Sequence, residues 1–134
     1  MSDLKIFNPT SPGQRTRISL SLRELSKKPH EKSLLFMVKK AKGRTRGKVT
    51  VRHKGGGARK YYRLVDFKRN KFDVPARVAA LEYDPNRNVS LAVLNYVDGE
   101  KRYILAPKDL KVGDVVEAGP KVLVKIGNSL PLSE

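Results

Sequence analysis

The chain has no cysteine. That excludes disulfides and thiolate metal sites and removes any need for an oxidising compartment. Long apolar runs are also missing: the longest, Leu34-Leu35-Phe36-Met37-Val38, falls far short of the ~20 residues that span a bilayer. The opening Met-Ser-Asp-Leu-Lys lacks the apolar stretch and cleavage site of a signal peptide. Apolar residues make up a lean 39% of the 134, enough for one domain with a small core. Together these absences lead us to expect a soluble intracellular protein. The most informative scarcity is of acids in the first half. Residues 1–63 hold only Asp3, Glu24 and Glu31 against 18 Lys or Arg, a net of +15. Residues 64–134 hold ten acids against 11 bases, a net of +1.

A chain that needed charge only for solubility would intersperse it, because a cluster of one sign repels itself. The polarity therefore reads as a basic arm that neutralises a polyanion, joined to a nearly neutral folded module, and nucleic acid is the obvious polyanion. In the arm, Asn8-Pro-Thr-Ser-Pro-Gly-Gln-Arg-Thr-Arg17 is turn-rich. At most one short helix is expected, from about Glu31 to Lys42, with Leu34, Leu35 and Val38 on one face, lysines in its last turn and Gly43 to stop it. The Lys42-Gly-Arg-Thr-Arg-Gly-Lys48 stretch has no apolar periodicity. It should be disordered in the free protein and order on RNA.

The sharpest motif is Val49-Thr-Val-Arg-His-Lys-Gly-Gly-Gly-Ala-Arg-Lys-Tyr-Tyr-Arg63. Gly55, Gly56 and Gly57 remove every Cβ, so backbone N–H groups can press against a phosphate. Arg52, His53, Lys54, Arg59, Lys60 and Arg63 flank them. The P-loop spacing is absent, and the competing reading is a plain flexible linker.

From Lys60 the period becomes two. Strands are expected over residues 60–67, 73–83, 90–97, 100–105, 112–116 and 122–126, with a turn at Asp84-Pro-Asn-Arg-Asn88 and a type I′ hairpin at Asp98-Gly99. Val78 and Ala80 should share a face opposite Ala79, Leu81 and Tyr83. The pattern predicts an all-β protein: a five-stranded oligonucleotide-binding (OB)-like barrel over 61–126, preceded by an extended basic arm over 1–60, with an SH3-like barrel as the alternative. Residues 127–134 read as a connector. Arg44, Arg46 and Lys48 in the arm, and Lys68, Arg69, Lys71 and Arg87 on strand-end loops, complete the candidate RNA-binding set. Phe67 and Tyr83 are expected in the core, whereas Tyr61 and Tyr62 are open between stacking on bases and packing. His30 and His53 lack carboxylates at metal-ligand spacing, and the acids are isolated singles suited to turn capping or ion pairing. No enzyme, metal or cofactor is expected. A transient single-strand-binding OB module is the rival from another class, and a membrane-surface protein lacks the amphipathic helix it would need.

Seven stretches carry a resemblance: residues 9–13, 31–35, 51–57, 62–71, 82–87, 98–108 and 110–114. In order and combination they resemble the bacterial-type large-subunit ribosomal protein two, the "L-two" family. The resemblance implies an OB-like barrel that binds large-subunit rRNA, with roles in subunit association, tRNA binding and the architecture of the peptidyl transferase centre. It also implies a cytoplasmic ribosome of a bacterium or an organellar ribosome, with small-subunit contacts through the full-length protein. Family members continue into a second, SH3-like barrel beyond the point where this sequence stops. Two explanations stand: the sequence is a piece of a longer chain, or the second half is a separate polypeptide.

Overall fold

The computed structural model describes residues 4–22, 25–26, 29, 31–38, 42–55 and 58–132. The chain is all-β, with no helix among the described residues. Its centre is a curled four-stranded antiparallel sheet built from β7 (Ala76–Asp84), β8 (Val89–Tyr96), β9 (Lys101–Leu105) and β10 (Val115–Val116), in the order β10-β7-β8-β9. Beyond β9, Val65 bridges Tyr103 and the Asp66 N–H donates to the Tyr103 carbonyl at 2.8 Å. This is an OB-like fold, as the alternating strands and frequent turns predict.

A bulge shapes the sheet. Val78 opposes Leu94, but Ala80 opposes Val93, so Ala79 is an extra residue in β7. One extra residue reverses the alternation, and the strand bends there. Ala76 and Val78 consequently pack with Ala92, Leu94, Tyr96, Ile104, Leu110 and Val116 in one cluster. Ala80 packs with Leu91, Val93 and Tyr103 in a second, on the opposite face. The expectation that Val78 and Ala80 share a face is thus corrected, because strict period two cannot register a bulge.

Two further strand expectations change. Residues 122–126 form no strand; Leu123, Val124 and Ile126 are 69%, 91% and 55% exposed. The chain there loops back, with the Gly119 N–H donating to Ser129 O and the Ser129 N–H to Glu117 O, both at 3.0 Å. The Asn128 side-chain amide accepts from Glu117 N and donates to Leu123 O. The Asp98-Gly99 turn has positive φ only at Gly99 (88°), and the Tyr96 N–H reaches Glu100 O, making a three-residue loop rather than type I′.

The second face of the sheet is covered by the basic half. Leu34 and Val65 pack on the Leu91–Tyr103 cluster. The expected helix over Glu31 to Lys42 is replaced by β3 (Leu35–Met37), which pairs antiparallel with β6 (Tyr61–Arg63); residues 39–41 lie outside the described set. An isolated helix that short is marginal, and a strand here satisfies backbone groups while Leu34 is half-buried against the Leu91–Tyr103 cluster. Two shorter hairpins complete the arm. β1 (Leu4–Ile6) pairs with β2 (Ile18–Leu20), and β4 (Arg44–Thr45) pairs with β5 (Lys48–Val49).

Beneath β6 lies a buried polar cluster. Glu82, 1% exposed, accepts from Arg63 Nε at 3.3 Å and from the Tyr103 hydroxyl at 3.0 Å. Burial together with the Glu82 charge drives the Tyr103 phenol pKa above its usual range. Removing Arg63 takes a charge-assisted donor away from the buried Glu82 carboxylate, a bond of about 1.5–3 kcal/mol. Arg63→Ala should therefore lower unfolding free energy by about that amount in urea titration; a loss below about 1 kcal/mol would show the pair to be solvated like a surface bridge.

A second tie joins arm and sheet at the surface. Lys101 Nζ donates to Glu31 at 2.8 Å, and Ser33 caps the same carboxylate through its hydroxyl and N–H. The Lys101 ammonium, then Ser33, hold the Glu31 carboxyl at about 2, against an ordinary 4.5. A depressed pKa means the stabilisation is complete above the ordinary value and is lost as pH falls toward about 2. NMR titration of Glu31 should show this low midpoint, and Lys101→Ala should return it toward 4.5; an ordinary midpoint in the unsubstituted protein would mean the tie does not form in solution.

Candidate nucleic-acid interface

The stretch from Gly43 to Gly55 forms a small closed loop. Arg46 and Gly47 both have positive φ (49° and 77°), the signature of a two-residue type I′ turn between β4 and β5. The turn expected at Asp98-Gly99 thus occurs here instead. The Gly43 carbonyl accepts from Thr50 N at 2.9 Å and Val51 N at 3.1 Å, closing the loop at its base. Gly43 is buried, and a Cβ there would stand 2.2 Å from the Val51 carbonyl oxygen. The local sequence suggests a helix stop at this glycine; in the fold it lets two backbones touch. His53 (60°) and Gly55 (103°) are also left-handed and turn the chain back toward β6.

On this scaffold Arg44, Arg46, Lys48, Arg52, His53 and Lys54 all face solvent. Arg59 and Lys60 are exposed as well, with Lys60 Nζ resting on Pro85 O at 3.2 Å. Gly56 and Gly57 lie outside the described residues. No described acid pairs with Arg44, Arg46, Lys48, Arg52, Lys54 or Arg59, so their charge is available to an external anion.

The cations expected on the barrel loops are engaged differently. Arg63 is only 8% exposed and bonded to Glu82. Arg69, with φ at 48°, donates its N–H to Asp66 at 2.9 Å and its guanidinium to Gly127 O at 3.1 Å, clamping the C-terminal segment. Lys71 pairs with Asp98 and Glu100 and lies 4.5 Å from the centre of the Tyr96 ring. Arg87 pairs with the fully buried Asp84 at 2.7 Å and donates to the Tyr62 hydroxyl at 2.6 Å. Lys68 is exposed. The structure thus separates the candidate residues into an unpaired set on the arm and a set whose charge is partly neutralised within the fold.

Asp66, Glu82, Asp84, Asp98 and Glu100 each pair with a cation. Burial raises the pKa of Asp66, but Arg102 at 2.8 Å and the Arg69 N–H outweigh it and leave the group lowered. Asp84 is likewise lowered, burial being outweighed by the Asn86 N–H and Arg87. Among the described residues no three His, Asp or Glu gather where they could hold a metal ion. The aromatic expectations need one correction: Phe67 is 64% exposed rather than in the core, because pairing with Tyr103 ends at Asp66 and the chain turns off the sheet there. Tyr103 and Tyr96 fill the interior, and Tyr83 is half-buried with its hydroxyl on Asn88. Tyr61 and Tyr62 are 45% and 38% exposed.

Residues 31–118 match the family model described as Ribosomal Proteins L2, RNA binding N-terminal domain. The matched span runs from the Glu31 tie through β10 and takes in the closed loop and both core clusters.

Gly43→Ala tests the loop. The new methyl group must displace the Val51 carbonyl, an overpacking penalty of about 1–3 kcal/mol. Trypsin should cut between Arg44 and Lys54 about tenfold faster or more in this variant, in line with that penalty on local opening. Equal cleavage rates would show that the loop is not closed in solution.

Proposed function

Since the chain belongs to the ribosomal protein L2 family through that family's RNA-binding N-terminal domain, we propose that its closed basic loop and flanking cations grip the sugar-phosphate backbone of folded large-subunit rRNA. Membership makes it an rRNA-binding ribosomal protein. The reading of its role is finer: an architectural component that helps shape the peptidyl transferase region, supports tRNA binding and subunit association, and reaches the small subunit through the rest of the full-length protein. Its place is a bacterial cytoplasmic or an organellar ribosome. The basic extension, residues 1–60, makes most of the phosphate contacts, and the module over 61–126 sets their geometry.

The observation that carries this reading is the exposure, without acidic partners among the described residues, of Arg44, Arg46, Lys48, Arg52 and Lys54 on one short scaffold. Phosphate is the anion that matches such a cluster. Arg63, Arg69, Lys71 and Arg87 serve the same interface from within, by fixing β6 and the loops in position. Gly55, Gly56 and Gly57 give the backbone close approach, while His53, Arg59, Lys60 and Lys68 extend the grip.

The rival is a transient single-strand-binding module. Such a protein would bind random single strands about as well as folded rRNA, so competition between the two decides the matter. Removing one cation from a phosphate should also reduce the slope of log K against log salt by about 0.7–0.9. Replacing Arg44, Arg46, Lys48, Arg52 and Lys54 with Gln should therefore flatten the slope by about 3.5–4.5 if all five sit on phosphates. A slope change below about 1, or indifference between rRNA and random RNA, defeats the proposal.

A further inference from the structure

We infer that the outward face of the β3–β6 ribbon is a stacking platform for unpaired nucleobases, with Phe36 and Tyr62 as its rings. The inference rests on the rRNA reading and deepens it by naming what part of the RNA this face takes. Phe36 and Tyr62 are directly paired across the ladder, so their side chains emerge on the same face with Cβ atoms about 5 Å apart. Their neighbours Leu35 and Arg63 point the other way, and Arg63 reaches the buried Glu82. The orientation of the ribbon is therefore fixed, and two rings, 51% and 38% exposed, are held toward solvent.

The platform is preorganised. The Arg87 guanidinium lies 4.6 Å from the centre of the Tyr62 ring, donates to its hydroxyl at 2.6 Å, and is itself held by Asp84 at 2.7 Å. The same guanidinium lies 5.9 Å from the Phe67 ring. Ring, cation and ring thus continue from Phe36 across Tyr62 and Arg87 to Phe67. Rings in this state forgo burial, and Arg87 holds Tyr62 there through both its ring and its hydroxyl. Cations border the row: Lys60, fixed on the Arg87 turn by its bond to Pro85, and Lys68 beside Phe67. Exposed rings with a cationic margin fit bases stacked on the rings and phosphates at the edge, since every base offers a π face and the backbone supplies the anions. A protein partner for an aromatic face would not call for that margin.

The test uses the full chain and a large-subunit rRNA fragment that it binds. Phe36→Leu and Tyr62→Leu keep an apolar side chain on the strand but remove the π face. Each should raise Kd roughly 5- to 150-fold, the range for losing one stacked base. The salt slope should not change, because every cation that meets a phosphate is still in place. Tyr62→Phe keeps the ring and should stay closer to the parent than Tyr62→Leu. Phe36→Trp should bind at least as tightly; the sequence has no other Trp, so its indole reports directly, and base stacking should quench it on saturation with RNA. That readout does not depend on the stability of the Leu variants. Leu variants that bind like the parent, a weakening that shows only as a flatter salt slope, or an indole left unquenched would each overturn the platform while leaving the rRNA reading in place. A parent chain with no preference for rRNA would overturn both.

Discussion

A carboxylate buried at 1% exposure in the middle of a β-strand needs a cation, and much of this molecule follows from where Glu82 finds one. One partner is Arg63, which lies on β6 rather than on the central sheet. The pair therefore pins β6 over the Leu91–Tyr103 cluster, and β6 in turn holds β3 by antiparallel pairing. Because side chains alternate along a strand, an inward Arg63 obliges Tyr62 to face out. Replacing such a pair with apolar residues can be neutral or stabilising in other proteins. Its value here is orientation: one buried ion pair decides which face of the ribbon meets solvent.

The bulge at Ala79 supplies the other half of that constraint. Without it, Ala80, Glu82 and Asp84 would fall on the Leu94 side of the sheet and the second face would have no acid to anchor the arm. With it, the sheet buries both faces, the first against Leu110 and Val116 and the second under Leu34 and Val65. A basic half carrying a net +15 gains little from packing on itself, since its charges repel within a Debye length of about 8–10 Å. It stays attached through a few well-placed ties: Glu82 to Arg63, Lys101 to Glu31, and the Ser26 N–H to Leu81 O at 2.8 Å.

Much of this was legible in the sequence and some was not, for physical reasons. The charge polarity, the strands of β7, β8 and β9, and the Asp84-Pro85 turn all follow from local chemistry, with Asp84 capping Asn86 N at 2.9 Å as such turns do. The helix over Glu31 to Lys42 does not form because strand pairing with residues 61–63 is a long-range interaction that no local window contains. The strand over 122–126 does not form because an apolar run needs a partner strand, and residues 122–126 have none among the described residues. The bulge leaves no mark in composition, as Ala79 and Ala80 are the same residue. Sequence could name the candidate cations but not sort them. Arg63 and Arg44 look alike in a charge run, and only the fold reveals that one is paired inside and the other faces water.

That sorting changes how RNA affinity should arise. A disordered basic arm must be ordered at the moment of binding, and the ordering entropy is subtracted from every phosphate contact it makes. A loop closed by Gly43, with a two-residue turn at Arg46-Gly47 and both strands paired, has met part of that cost in folding. Its cations are long, flexible side chains on a fixed backbone, so they can adapt to phosphate positions without the main chain having to reorganise. The aromatic ribbon has fewer degrees of freedom still, because Arg87 and Asp84 hold Tyr62 from one side. Electrostatic attraction is long-ranged and nearly sequence-blind, whereas a fixed ring accepts a base only where the RNA can present one. On the proposed reading, the arm's charge supplies most of the affinity, and the rigid ribbon and loops decide which folded RNA can use it.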